Sequence, residues 1–374
     1  MTVNHSTGQA AEVPTAVSQV EDWLLTSGVQ IPQGEHRGGI GGWLDESGRP
    51  EFIYPEIVGY YLTAMAWLSS GAASSSDRAE SARRRARQAA GWLASSVADK
   101  PAPATRIYLV EGHEDWRNGA VFSFDIAMAA RGFAASGQLS AHEHQQILNR
   151  LCDILRRISS GVDFMASHEL VAGDMTTLPE RWSTRRGPHH LKAAAAVLRL
   201  PDRNVGKELL GVAQRTCDHW AASFESDSWP CSELHAILYA CEGMLLAADR
   251  LSDRDAYVVV ERVLNRLVEL QASDGTLPET VDGGIIRSDV QAQALRVGLL
   301  LRARQYLGGS SWTDRMDGLT DALLSFVQPD GGVLFSRQHP VSNTWCATFA
   351  IQALYLRSLV GTPDAPTLTR GLLV

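Results

Sequence analysis

The sequence predicts an all-α fold, an (α/α)6 toroid in which twelve helices surround a central cavity. Amphipathic and apolar helical segments alternate in six pairs along the 374 residues, and no convincing strand pattern separates them. Repeated pairs of this kind are typical of helical repeat proteins. The last apolar segment lies almost at the C-terminus, where an open solenoid needs a polar cap. Closure into a ring removes that need, because the first helix can cover the last one.

The first six predicted helices each carry a local signal. The first is amphipathic and is stopped by Gly28. Pro55 suits a first helical position, and the negative charge of Glu56 suits the start of the second helix. The third is basic and amphipathic, the fourth is apolar, and Ser140 with Glu143 forms a capping box at the fifth. The sixth predicted helix, the last in the N-terminal half, is short and apolar. The six span residues 14–27, 55–69, 77–98, 121–136, 140–159 and 188–198.

The second half repeats the alternation of amphipathic and apolar segments. Residues 271–275 and 328–332 each end an amphipathic helix with an Asp-Gly turn, in which glycine permits a positive φ. The apolar helices are predicted to form the inner ring and the amphipathic helices the outer ring. The six helices of this half span residues 204–224, 232–251, 253–271, 288–307, 311–327 and 343–359.

Composition favours one globular domain at 13–360, between a flexible N-terminus at 1–12 and a C-terminal tail at 361–374. A net charge of −8 gives no support to nucleic-acid binding. The apolar runs are too short or too interrupted to span a bilayer, and the N-terminus does not resemble a signal peptide. The five cysteines are scattered without a Cys-x-x-Cys motif. We therefore expect free thiols and a cytoplasmic protein.

In such a ring, the first turns of the apolar helices share one mouth of the cavity. Carboxylate, imidazole and aromatic side chains recur there about once per helical pair. Some also have a structural interpretation, since Asp289 can cap its helix and Glu56 can interact with the helix dipole. The inward candidates are Glu56, Asp125, His189, His190, Glu233, His235, Asp289 and Trp345, with Tyr60 as a further pocket-lining residue.

Asp125 is the first candidate for a catalytic base, and Glu56 is the second. The predicted helix boundary places Asp125 past the first residues of its helix, among Phe122, Phe124 and Met128. A carboxylate in apolar surroundings is costly unless it is paired, and its pKa is usually raised. Asp125 therefore either pairs with a cation across the cavity or takes part in proton transfer.

A basic cluster precedes the sixth helix. It consists of Arg181, Arg185, Arg186, His189 and His190. Helix N-termini and arginine forks both suit sulfate, phosphate or carboxylate groups, so the cluster predicts an anion site. A solvated loop is the alternative interpretation.

Two resemblances follow from these motifs. The turns at 271–275 and 328–332 resemble the Q-x-x-D-G-G turns of terpenoid cyclases and protein prenyltransferases, which have this ring fold. The Asp-x-Asp-Asp acid motif of the cyclases and the Asp-x-Cys…His zinc set of the prenyltransferases are both missing here. The residues 55–61, Phe124-Asp125 and Asn343-Thr344-Trp345 resemble the larger subunit of the aziridine-forming enzymes of azinomycin-type antibiotic biosynthesis in bacteria.

The second resemblance implies an intramolecular nucleophilic substitution. An amine closes on a neighbouring carbon and expels a sulfate ester from an amino-acid derivative held on an acidic amino-group carrier protein. It also implies a small partner subunit, and it requires no metal or redox cofactor. In this interpretation Asp125 or Glu56 removes the ammonium proton, and the basic cluster binds the departing sulfate. Positioning supplies much of the rate of such a closure.

Two alternatives remain at the level of sequence. The first is a carbohydrate-active toroid, a hydrolase or lyase, that uses Asp125 with Glu56 or Asp289, because paired carboxylates suit sugar chemistry. The second is a non-catalytic toroid of terpenoid-cyclase type that binds a partner protein. The fold does not decide between them.

Overall fold

The computed structural model describes residues 6–70, 75–98, 102–160, 164, 167–169, 178–226, 228–251 and 253–361. In this part of the chain twelve α-helices follow one another, as the sequence predicts. They are α1 Ser6–Thr26, α2 Pro55–Ser69, α3 Ser76–Ala98, α4 Ser123–Ser136, α5 Ala141–Arg157, α6 His190–Leu198, α7 Asp202–Ala222, α8 Leu234–Leu251, α9 Asp255–Glu269, α10 Ser288–Ala303, α11 Ser310–Leu324 and α12 Thr344–Ser358.

The even-numbered helices form a closed inner ring. Each packs against the next one, and α12 returns to pack against α2. Their residues are almost all buried, as expected for helices without a polar face. The odd-numbered helices lie outside, and α1 packs against α12. The predicted closure of the ring by the first helix is therefore confirmed.

Short strands, which were not predicted, connect some of the helices. Strand β1 (Phe52–Ile53) pairs with β2 (Ile107–Tyr108), and β3 (Ala120–Phe122) pairs with β4 (Ser167–Glu169), both antiparallel. Because Ala120–Phe122 is a strand, α4 begins at Ser123 and not at residue 121. Asp125 consequently lies in the first turn of its helix, which corrects the deeper position expected from the sequence.

The chain termini differ partly from expectation. Helix α1 begins at Ser6 and continues through Pro14, although residues 1–12 were expected to be flexible and the helix to begin at residue 14. Residues 1–5 lie outside the described part of the chain. The predicted C-terminal tail also lies outside it, apart from Gly361. Among the described residues, no helix combines the length and apolar character needed to cross a membrane.

Two glycines allow α2 and α4 to pack at backbone contact. A Cβ atom added to Gly59 would lie 2.3 Å from the carbonyl oxygen of Met128, and one added to Gly132 would lie 2.1 Å from that of Gly59. Any larger residue at either position therefore collides with main chain. This close approach fixes the spacing between the helices that carry Glu56 and Asp125.

Candidate active site

A cavity of about 530 Å³ opens at the end of the ring where the inner helices begin. Its walls come from the first turns of these helices and from the loops that precede them. Acidic, basic and aromatic side chains all contribute. The lining residues are Tyr54, Glu56, Ile57, Thr105, Arg106, Trp116, Arg117, Phe122, Phe124, Asp125, Glu180, Arg181, Trp182, Ser183, Arg185, His189, Glu233, His235, Tyr239, Arg287 and Trp345.

Glu56 and Asp125 form a pair of buried acids on one wall. The Thr105 hydroxyl donates to Asp125 Oδ2 at 2.8 Å, and the Tyr54 hydroxyl donates to Oδ1 at 3.4 Å. The Tyr239 hydroxyl, from α8 on the opposite side of the ring, donates to Glu56 Oε1 at 3.3 Å. Both acids are thus held by hydroxyl groups, and neither has an ion-pair partner in the described part of the chain.

Burial raises the pKa of both acids. The pKa of Asp125 lies well above its ordinary value, because burial and then the charge of Glu56 both disfavour its ionised form. The pKa of Glu56 is also raised by burial, although hydrogen bonds from Tyr54 and Tyr60 oppose the shift. Two interacting acids in a dry site cannot both ionise easily. The upward shift of the pKa is larger for Asp125, so Asp125 is the member of the pair that favours its protonated form more strongly.

His235 lines the cavity with a defined tautomer. Its Nδ1 lies 2.6 Å from Gln293 Oε1 and 3.4 Å from Asp289 Oδ2. Both of these neighbours are acceptors, so the proton lies on Nδ1 and the lone pair of Nε2 is left for the cavity. Burial lowers the pKa of His235 to about 4, although Asp289 opposes the shift. The imidazole is therefore neutral at pH 7, and its Nε2 can accept a proton.

Asp289 supports the wall behind His235 and does not line the cavity. Its carboxylate accepts from Arg287 at 2.6 and 3.1 Å and from Trp345 Nε1 at 3.3 Å. Although burial raises the pKa of Asp289, the charge of Arg287 and the hydrogen bonds from Arg287 and Trp345 outweigh it, and the pKa is lowered. Asp289 is therefore ionised and fully engaged, which fits a positioning role better than direct binding.

Most of the predicted basic cluster lies around two neighbouring cavities. Arg181, Arg185 and His189 line the main cavity, and Arg185 forms an ion pair with Glu180. Arg186 lines a smaller cavity next to it, together with Arg185 and His189. His190 is buried behind the wall, where its Nδ1 accepts from the Gly187 N–H at 3.3 Å. Of the five predicted residues, only His190 lines neither of these two cavities.

The other predicted residues divide in the same way. Glu233 and Trp345 line the cavity, whereas Tyr60 lies behind it and donates to the Tyr239 hydroxyl at 2.9 Å. Sequence reasoning missed Arg106, whose guanidinium lies 4.0 Å from the ring centroid of Phe52. Its loop carries no helical periodicity that points inward. Other lining residues that were not proposed are Thr105, Arg117, Tyr239 and Arg287.

A second polar layer lies below the cavity and was also missed. Lys192 donates to Glu242 at 2.6 Å, Arg296 forms an ion pair with the same carboxylate, and Arg296 also donates to Gln352 at 2.7 Å. Lys192, Glu242 and Arg296 are all 0% exposed. The Lys192 ammonium also lies 4.4 Å from the ring centroid of Tyr239, the tyrosine that bonds Glu56. The layer thus places positive charge beneath the acid pair.

No group of three or more His, Cys, Asp or Glu residues in the described part of the chain is arranged to hold a metal ion. All five cysteines are free, as expected.

Comparisons with known proteins identify the architecture. No protein-family model matches the sequence, and no curated protein matches it. D-mannose isomerase is structurally similar, with a TM-score of 0.68 at 12% identity over 96% of this chain and 100% of that one. The fold is an (α/α)6 toroid.

Two further solved structures share this architecture. Cellobiose 2-epimerase from Spirochaeta thermophila has a TM-score of 0.66 at 12% identity, over 95% of this chain and 99% of that one. An unsaturated glucuronyl hydrolase specific for heparin has a TM-score of 0.65 at 9% identity, over 96% of this chain and 98% of that one. At these identities the similarity establishes the fold alone.

Proposed function

We propose that this protein is an enzyme that moves protons on a small carbohydrate, in an isomerisation or epimerisation. One observation carries the proposal. An acid whose pKa burial raises well above its ordinary value, Asp125, and an imidazole whose pKa burial lowers to about 4, His235, line the same 530 Å³ cavity. An acid and a base that are both neutral near pH 7 are the groups that concerted proton transfer requires. The structurally similar isomerase and epimerase support the sugar as substrate.

The reaction uses each group in its resting state. His235 Nε2 takes the proton from the carbon next to the sugar carbonyl, and Asp125 gives its proton to the carbonyl oxygen. The product is a neutral enediol. Return of a proton to the other carbon, with loss of the second hydroxyl proton to Asp125, gives an isomer. Return to the opposite face of the same carbon, with loss of the first hydroxyl proton to Asp125, gives an epimer. Glu56 holds Asp125 protonated, and Asp289 with Gln293 holds the tautomer of His235.

Glycoside hydrolysis fits this geometry less well. A hydrolase places its two carboxyl groups on opposite sides of the bond that is broken. Here Glu56 and Asp125 lie on neighbouring helices, and Tyr54 interacts with both of them. On the α8 side of the cavity, both the imidazole of His235 and the carboxylate of Glu233 are present, so the choice against hydrolysis rests on the neighbouring positions of Glu56 and Asp125.

Proton exchange with solvent tests the proposal. The protein is incubated in D2O with a panel of aldoses, ketoses and reducing disaccharides, and proton NMR follows the carbon next to the carbonyl. We expect deuterium at that carbon with at least one sugar. Asp125→Asn and His235→Asn should both abolish it, whereas His219→Asn, at an exposed imidazole, should not. Cleavage of a glycosidic bond without deuterium incorporation would instead support a hydrolase.

We also propose aziridine formation as a second candidate, which the arginines of the cavity favour. Arg106, Arg117, Arg181, Arg185 and Arg287 all line it and suit a departing sulfate. In this case His235 removes the ammonium proton, because Asp125 already holds one. The substrate is a sulfated amino-acid derivative on an acidic amino-group carrier protein, and a small partner subunit takes part. Mass spectrometry of that substrate tests it: loss of sulfate without gain of water supports ring closure, and unchanged substrate opposes it.

A further inference from the structure

A second cavity of about 290 Å³ lies beside the main one. The two cavities share four lining residues, Trp182, Arg185, His189 and Glu233. The rest of the second cavity is formed by the loop before α6, by residues 230–232 and by Ala236 on α8. The two spaces are therefore adjacent chambers of one site, separated by a wall of these shared side chains.

Trp182 is the main part of that wall. Its ring stands edge-on to His189 at 5.2 Å and to His235 at 5.8 Å between ring centroids. It is only partly buried, so it retains surface for a ligand. The chamber beyond it combines this aromatic surface with Ser232, Glu233 and two arginines. The lining is thus mostly polar with one aromatic surface, which suits a hydroxyl-rich ligand whose ring packs on the indole.

We propose that the second chamber binds a further sugar-sized unit, joined to the unit that reacts in the main cavity. The inference rests on the proposed function and specifies its substrate class. The substrate is a disaccharide or a comparable two-unit glycoside, with its reacting unit beside Asp125 and His235. Its other unit packs on Trp182 and hydrogen-bonds with Ser232 and Glu233.

Cys231 provides a test, because it lines the second chamber and not the main cavity. Cys231→Trp should fill the chamber and raise KM for two-unit substrates by about tenfold or more, the equivalent of losing roughly 1.4 kcal/mol of binding. KM for a single-unit sugar should be unchanged. Ser95→Trp is the matched control, since Ser95 lines an unrelated surface cleft. Equal KM changes for both substrate classes, or no change for either, would overturn the proposal.

Thiol labelling of the wild-type protein gives a second test of the proposal, which requires neither turnover nor a folded variant. Cys231 is half-buried, whereas the other four cysteines are buried. Methylmercury bound at Cys231 is counted by mass spectrometry in the wild-type protein, with and without cellobiose, using glucose as the control. Protection by the disaccharide alone supports the chamber, and labelling that neither sugar slows opposes it. Absence of turnover with protection at Cys231 would contradict the proposed reaction while the two-unit site stands.

Discussion

Replacement of Gly132 by alanine should separate the two helices that carry the acid pair. The added Cβ would lie 2.1 Å from the carbonyl oxygen of Gly59, whereas Cβ contacts under 3.0 Å essentially do not occur. The backbones of α2 and α4 must then move apart by almost 1 Å. Overpacking of this kind costs about 1–3 kcal/mol, and a backbone collision belongs at the upper end. The better helix propensity of alanine returns about 1 kcal/mol, so we expect a net loss of about 2 kcal/mol.

Gly91→Ala is the matched control, because Gly91 is also inside a helix and a Cβ there meets no atom within 4 Å. This variant should gain about 0.5–1 kcal/mol. Urea denaturation of both variants gives the free energies of unfolding from the midpoints, provided that the slopes agree. The displacement should also reduce turnover, since Glu56 and Asp125 no longer face each other correctly. If Gly132→Ala is as stable as Gly91→Ala, the argument for backbone contact is wrong.

Three further predictions concern the buried charges. Glu242→Gln should lower the free energy of unfolding by about 3–5 kcal/mol, because Lys192 and Arg296 lose their buried counter-charge. The control, Glu208→Gln on the exposed face of α7, should leave the urea midpoint unchanged. Burial lowers the pKa of Lys192 to about 7 from 10.5, so the unfolded chain binds more protons between these values and stability should rise with pH across that window. Lys192→Met should remove this slope in urea titrations at pH 7 and pH 9. Turnover should fall below about pH 4 as His235 gains a proton, and again as pH rises through the raised pKa of Asp125; a flat pH profile would exclude both roles.

The fold was predictable because its signal is repeated six times. Alternating apolar and amphipathic helices can be recognised from periodicity alone. Helix α2 even has its predicted bounds, Pro55–Ser69. The short strands could not be recognised from the sequence, since two or three residues are too few to show an alternating pattern of polar and apolar side chains. Because strand β3 was not predicted, the start of α4 was placed two residues too early, and Asp125 was placed too far from the start of its helix.

The site was predictable at helix starts and in the basic loop before α6, from which Arg181 and Arg185 line the cavity. Glu56, Asp125 and His235 follow from the first turns of inner helices, and all three line the cavity. Arg106 comes from a connecting loop whose path no local pattern specifies. The tautomer of His235 depends on Gln293, which lies in the second turn of the neighbouring helix α10, and only tertiary packing brings the two together.

The second polar layer, however, does have a sequence signal, and it explains why the ring is not filled with apolar side chains. Glu242, Arg296 and Gln352 each follow a first-turn residue, His235, Asp289 and Trp345, by seven positions. Seven residues are two helical turns, so each pair lies on one face of its helix about 10 Å apart. Of the upper members, His235 and Trp345 line the cavity and Asp289 lies behind them, while the lower members bond to one another across the ring axis. Burying Lys192 and Arg296 against the single carboxylate of Glu242 makes the fold less stable than apolar side chains filling the same space would. What the layer supplies is positive charge below Tyr239 and Glu56, which lowers the pKa of Glu56 against the effect of burial. By favouring the ionised form of Glu56, this charge also favours a proton on Asp125, so the lower layer contributes to the protonation of the acid pair on which the proposed chemistry depends.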